Sequence, residues 1–249
     1  MNLAEEGEPI ARIIGKAKPN VLYLKYTPTA IKEIFIEKAT ESMQQIPNSS
    51  KERDVLYITG ESGSGKSYYI VKYLKQYLKQ HPTNQIYLFS ALDSDPTIDK
   101  LKDKIKRIKF TPQFIATQFT IQDFENSCVI FDDYDAVLNK QLIAKLESLM
   151  FMILTTGRHT KTSCIVVTHN AYNRDKTKTI LNECSSVTVF PLNTAPKTIH
   201  YLLNNYFGLE KNQIQRLKQL HKHSRWVTLL KVYPKVVLYD KGAYLLNTE

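Results

Sequence analysis

Residues 60–67 read Gly60-Glu61-Ser62-Gly63-Ser64-Gly65-Lys66-Ser67, which satisfies G-x-x-x-x-G-K-[ST]. Upstream, Val55-Leu56-Tyr57-Ile58 is a β-branched and aromatic run that reads as a buried strand. Downstream, Ile70, Tyr73, Leu74, Tyr77 and Leu78 recur at helical spacing. Strand, glycine loop and helix form the setting that this motif requires. Glycines let the backbone turn tightly and bring N–H groups against phosphate oxygens. The following helix adds its N-terminal partial positive charge. Gly60, Glu61, Ser62, Gly63, Ser64, Gly65, Lys66, Ser67 and Tyr68 are therefore the expected nucleotide-binding residues. Lys66 is expected to reach the β- and γ-phosphates, and the Ser67 hydroxyl to ligate Mg²⁺, so ATP and Mg²⁺ are the expected cofactors.

Further along the chain, Gln85–Ser90, Ile105–Phe110, Ser127–Phe131, Thr162–Val167 and Ser186–Phe190 read as strands, several of them almost wholly apolar. Leu138–Leu154 reads as a helix with Leu142, Ile143, Leu146, Leu149 and Met150 facing inward. Apolar strands alternating with helices predict an α/β fold whose mostly parallel sheet is covered on both faces. Residues 1–50 are expected to be a lead-in to this core. Within them, Tyr26-Thr27-Pro28 followed by Ala30–Met43 reads as a capped helix with Ile31, Ile34, Phe35 and Ala39 on one face. The core is expected to span 51–192. Residues 193–249 form a small extension: a helix from Pro196, a second over Leu209–Lys222, then the short strands Trp226–Val232, Lys235–Tyr239 and Ala243–Leu246 as a hairpin or meander.

Phosphate chemistry also needs a carboxylate at the end of a neighbouring strand. Val129-Ile130-Phe131-Asp132 supplies one, and Asp133 adds a second. Asp132 is the expected Mg²⁺ residue. Asp133 is expected to polarise the attacking water; the bland reading of Asp133 is a helix N-cap. The next strand ends in Thr168-His169-Asn170, where a polar group would sense the γ-phosphate, and which of the three does so is open. Arg158, in Gly157-Arg158-His159, is a candidate to reach a neighbouring subunit's nucleotide, or else a surface or DNA-contacting arginine. Arg174 and Lys161 are weaker candidates of the same type.

Composition narrows the function classes. The chain has 249 residues, 43% apolar and 23% charged, and a formal net charge of +10. These values exclude wholesale disorder. The longest apolar run, Leu149–Leu154, falls far short of the roughly twenty residues of a spanning helix, so no stable membrane insertion is expected. The first residues carry Glu5, Glu6 and Glu8 and lack a secretory pattern, so an intracellular location is expected. Cys128, Cys164 and Cys184 are widely spaced and without a C-x-x-C, which argues against a disulfide framework or a zinc site. From Lys197 to Lys241 there are nine Lys/Arg and two acids. Such a surface suits phosphate contacts that read no bases, or else is a solvated face. The run Lys100, Lys102, Lys104, Lys106, Arg107 and Lys109 has the same two readings.

Together the P-loop, Val-Ile-Phe-Asp132-Asp133, Thr156-Gly157-Arg158-His159, Ile-Val-Val-Thr-His-Asn170, Ser224-Arg225-Trp226-Val227-Thr228 and Lys241-Gly242-Ala243-Tyr244-Leu245-Leu246 resemble a known family. It is the genome-packaging ATPases of large DNA viruses and virophages, the poxvirus-type branch of the FtsK/HerA superfamily. The resemblance spans residues 50–246. It implies a RecA-like P-loop ATPase that threads double-stranded DNA, irrespective of sequence, into a viral capsid. It also implies a homo-oligomeric ring, pentamer or hexamer, at a capsid or portal vertex, in the host-cell cytoplasm (the viral factory) or in the virion. Family roles fall on Lys66 and Ser67 (phosphate and Mg²⁺), Asp132 (Mg²⁺), Asp133 (water activation) and Arg158 (a finger in trans), with His169 or Asn170 at the sensor place. The family's second acid is often Glu and its sensor often Gln; here they are Asp133 and His169 or Asn170. Two competing classes are a nucleotide-switched regulatory module and a nucleoside or nucleotide kinase.

Overall fold

The structure is a computed structural model. It describes residues 1–249 except 4–5, 16–19, 26, 28–30 and 247–249, and omits the side chains of 174–176. In chain order the strands and helices are β1 (Glu8–Ile14), β2 (Val21–Leu24), β3 (Glu33–Phe35), β4 (Ser42–Gln45), β5 (Val55–Thr59), α1 (Lys66–Gln80), β6 (Gln85–Ser90), β7 (Ile105–Ile108), α2 (Pro112–Ala116), β8 (Ser127–Asp132), α3 (Lys140–Thr156), β9 (Ser163–Thr168), α4 (Arg174–Glu183), β10 (Ser186–Val189), α5 (Pro196–Asn205), α6 (Lys211–Gln219), β11 (Val227–Leu230), β12 (Val236–Tyr239) and β13 (Gly242–Leu245). None of the described helices is long and apolar enough to cross a membrane.

Ten strands form one sheet in the order β3-β13-β12-β11-β10-β5-β9-β8-β6-β7. The six from β10 to β7 are parallel, and the meander β11-β12-β13 continues the sheet antiparallel from β10. The near-continuous apolar runs of β5, β8 and β9 follow from burial on both sides. Val55, Tyr57, Val129, Phe131, Cys164 and Val166 face one core, with α3, α4, α5 and α6. Leu56, Ile58, Cys128, Ile130, Ile165 and Val167 face the other, with α1 and the N-terminal strands. On α1 the buried residues Tyr69, Ile70, Tyr73, Leu74 and Tyr77 recur at helical spacing. Each contributes about 1.5–3 kcal/mol by leaving water, which fixes the helix against β5. The three cysteines are buried and unpaired.

The helix expected over 30–43 is absent: among the described residues of that stretch the chain forms β3 and β4. Tyr26, Pro28 and Ala30, expected at its start, lie outside the described residues. The intended inward face is not one: Ile31 and Phe35 are each 51% exposed, and Ala39 is exposed. Burial instead alternates, with Glu33 and Phe35 outward, Ile34 partly buried and Ile36 buried, which is the period of a strand. β3 pairs with β13, far along the chain, and β4 joins β1 and β2 in a second, three-stranded antiparallel sheet. That non-local pairing, invisible in a short window, overrides the helical spacing of Ile31, Ile34, Phe35 and Ala39.

Candidate active site

The parallel register brings four strand ends together. Thr59 pairs with Thr168, Phe131 with Val166, and Ser90 with Asp132, so the loops after β5, β9, β8 and β6 open on one edge of the sheet. The P-loop leaves β5 with Gly60 N–H donating to Thr168 O at 3.2 Å. A Cβ on Gly60 would stand 2.9 Å from both the Phe190 ring and Ser64 Oγ, so close packing excludes a side chain there. Gly65 caps α1 with φ +111°, a conformation costly for any residue with a Cβ. No side chain caps α1 and no acid lies in its first turn. The free N–H groups of that turn are a place for an anion.

Lys66 is 6% exposed. Its Nζ donates to Gly60 O at 2.8 Å and to Glu61 O at 3.4 Å, and lies 3.5 Å from Asp133 Oδ1. It also approaches His169 Nδ1 at 3.3 Å, while His169 Nε2 lies 3.1 Å from Asp133 Oδ2. With Lys66 donating to Nδ1, Nε2 is the nitrogen that donates to Asp133. The three side chains thus close a ring over the loop. Asp133 holds φ +48°, an uncommon conformation outside glycine that Asp tolerates better than most. It precedes a short 3₁₀ turn, Tyr134–Ala136, but its side chain makes no capping bond. The N-cap reading fails, and the carboxylate faces Lys66 and His169.

Asp132 is buried, with Ser90 Oγ donating to its Oδ2 at 3.2 Å. Burial, then the neighbouring charge of Asp133, push its pKa up to about 6. Ser67 Oγ donates to Asp95 Oδ2 at 2.9 Å. Among the described residues there is no cluster of three or more His, Cys, Asp or Glu ready to hold a metal alone.

The strand-end triplet separates into distinct roles. Thr168 is buried, its hydroxyl 2.9 Å from the Tyr57 hydroxyl and bonded to Asn170 O. Asn170 is exposed and lines a cavity of about 50 Å³ with Tyr134, Asp135, Glu147 and Thr177. Only His169 meets Lys66 and Asp133. Its backbone N–H is held by Asp135 Oδ2 at 3.2 Å. Arg158 is not brought to this edge: it precedes β9 at the opposite end of the strand, 79% exposed, 3.7 Å from Glu52. Tyr68 is 59% exposed, with Lys72 Nζ 4.7 Å from its ring centre. Lys161 is exposed in the turn before β9, and the side chain of Arg174 lies outside the described residues.

The sequence reading missed Ser90, Asp95, Asp135 and Arg225 as site residues. Asp135 follows Asp132-Asp133-Tyr134 and was within view. Arg225 donates to Gly63 O at 3.4 Å, reaching the loop tip from the C-terminal extension. Its neighbours are anchored: Ser224 Oγ accepts from Asp240 N–H at 2.9 Å, and Trp226 packs edge-on against Tyr69 at 5.0 Å. Nothing in the local sequence points from residue 225 to residue 63.

No family model matches the chain. A curated relative, the uncharacterized protein V3 of Sputnik virophage, is 33% identical over 260 residues, covering 99% of this chain and 98% of its own. Among solved structures, the DNA-packaging ATPase B204 of Sulfolobus turreted icosahedral virus superposes with a TM-score of 0.50 at 16% identity, over 79% of this chain and 99% of B204. The cytoplasmic domain of the Type VII secretion ATPase EccC of Thermomonospora curvata gives 0.52 at 12% identity, over 90% of this chain and 31% of that one. The fold expected from the resemblance, a mostly parallel P-loop ATPase sheet between helices, is the fold found.

Proposed function

The chain belongs to the family of Sputnik virophage protein V3, and we propose that it is an ATP-hydrolysing motor that moves double-stranded DNA into a viral capsid. The observation that carries this is the Lys66–Asp133–His169 ring closed over the P-loop, beside a buried Asp132. A P-loop lysine bonded to loop carbonyls is freed when phosphate oxygens replace them. Its departure leaves Asp133 and His169 facing the cleft. Asp133 accepts a proton from an attacking water, and His169 orients it and registers whether the γ-phosphate is present. Arg225 adds a guanidinium at the loop tip.

The residues suit Mg²⁺. Ser67 and Asp132 offer hard oxygen donors, and a P-loop site holds Mg²⁺ through one or two side chains plus phosphates and water. Asp132, with its ionised form disfavoured by burial and by Asp133, is where a cation gains most. When bound, Mg²⁺ neutralises charge on the β- and γ-phosphates.

In the proposed ring, of five or six copies, Arg158 projects from the opposite edge toward a neighbour's nucleotide. The fold's relatives in structure support the reading: B204 is named a DNA-packaging ATPase. The basic residues between Lys197 and Lys241 are the proposed phosphate contacts. The proposed site of action is the host-cell cytoplasm or the virion.

The test is steady-state ATPase activity with and without long double-stranded DNA, at several protein concentrations. A motor completed between subunits gives a specific rate that rises with both. A rate indifferent to both overturns the motor and favours a kinase, to be followed with nucleoside and nucleotide acceptors. Nucleotide binding with negligible turnover in the presence of DNA favours a regulatory module.

A further inference from the structure

Asp95 belongs to neither nucleotide motif. It stands five residues beyond the end of β6, yet its Oδ2 accepts the Ser67 hydroxyl at 2.9 Å. The carboxylate is held in place independently of Ser67. Its Oδ1 accepts the N–H groups of Thr97 at 2.7 Å and Ile98 at 2.8 Å. Its own N–H donates to Asp99 Oδ2 at 2.9 Å. Asp99 Oδ1 is clasped by Arg107 at 2.6 Å, and the same guanidinium donates to Leu92 O at 2.8 Å. The loop between β6 and β7 thus presents one fixed acceptor oxygen to the P-loop serine.

A hydroxyl has one proton and two lone pairs. With the proton committed to Asp95, both lone pairs of Ser67 Oγ are left for other partners. That is the orientation a cation ligand needs. A hydroxyl accepting a bond from its neighbour would spend a lone pair instead.

We infer that Asp95 is a positioning residue for a divalent cation bound with the nucleotide: it accepts the hydrogen bond of the Ser67 O–H and so presents Ser67 Oγ as a ligand. The inference rests on the reading of Ser67 and Asp132 as the Mg²⁺ residues given above. A turn cap alone would require only Oδ1.

Asp95→Asn separates the two roles. The amide oxygen still caps Thr97 and Ile98, while the amide NH₂ faces Ser67 and cannot accept its proton. The probe is a fluorescent ADP, with dissociation constants measured in excess Mg²⁺ and in EDTA. In the wild type, Mg²⁺ should tighten binding. In Asp95→Asn that gain should shrink about 10- to 100-fold, the usual effect of losing a partner behind a metal ligand. Affinity in EDTA and the melting temperature should be unchanged. An undiminished Mg²⁺ gain in Asp95→Asn overturns the inference while leaving the nucleotide site standing. No Mg²⁺ gain in the wild type overturns both. If Asp95→Asn melts early, a double-mutant cycle with Ser67→Ala decides: no further loss of Mg²⁺ gain on adding Asp95→Asn supports the inference, and an additive loss overturns it.

Discussion

The two edges of the parallel sheet treat their polar groups differently. At the edge where β5, β8 and β9 end, Ser64 Oγ and Asp135 Oδ1 are buried without a hydrogen-bond partner, and Asp133 Oδ1 has only the Lys66 ammonium at 3.5 Å. At the edge where the same strands begin, the groups are satisfied. Arg53 donates to Ile153 O at 2.8 Å and to Leu154 O at 2.7 Å, capping α3. Asp54 Oδ2 accepts from Asn48 N–H at 2.9 Å and from the Tyr73 hydroxyl at 3.0 Å. Buried polar groups without partners cost stability, so a fold keeps them where a ligand completes them. One edge is the candidate site, and the other holds the scaffold together.

The largest effect that would sharpen this contrast is on turnover. Asp133→Asn keeps the side-chain shape and the left-handed backbone, but loses the proposed base. ATP turnover should fall about 10²- to 10⁴-fold with nucleotide affinity retained, as steady-state kinetics and equilibrium binding would show. Loss of affinity instead would move the cation role from Asp132 to Asp133.

Arg53→Ala should do the reverse. It takes the guanidinium from Leu154 O and from Ile153 O, of which Ile153 O keeps the Gly157 N–H at 3.0 Å, so stability measured by urea unfolding should fall by about 1–3 kcal/mol. Fluorescent-nucleotide affinity should not change. A loss of affinity would break the separation between the edges.

The smallest effect is one of pH. Burial raises the pKa of Asp54 above its ordinary value, so the folded chain takes up this proton more readily than the unfolded one. Its contribution therefore favours folding at low pH and is lost as pH rises through the raised folded value. In Asp54→Asn the amide oxygen accepts both existing bonds and the titration is gone. Urea midpoints from pH 4 to 7 should fall more steeply in the wild type than in the variant. Asp132 adds a contribution of the same sign, lost between its ordinary value and about pH 6, but it is common to both chains and cancels in the difference. Equal slopes would show that Asp54 carries no burial penalty.

Much of the site was legible because its signals are local. Gly60, Gly63, Gly65, Lys66 and Ser67 lie within eight residues, and strand-end acids such as Asp132 and Asp133 follow directly from apolar runs. The choice among Thr168, His169 and Asn170 was not legible. All three stand at one strand end, and only the pairing of β9 with β5 decides which side chain meets Lys66. Asp95 caps a turn through its Oδ1, a local role. Its second oxygen finds Ser67 across space.

By itself the sequence determined that a strand, a glycine loop and a helix would build a phosphate cradle, and that apolar strands would form a sheet covered on both faces. Those features depend on periodicity and on backbone freedom within a few residues. The tertiary structure alone decided that residues 33–35 and 42–45 form strands and that Asp95 and Arg225 reach the P-loop. It also decided that Arg158 stands at the far edge. Each of these depends on a partner distant in the chain, brought near only when the sheet order is fixed.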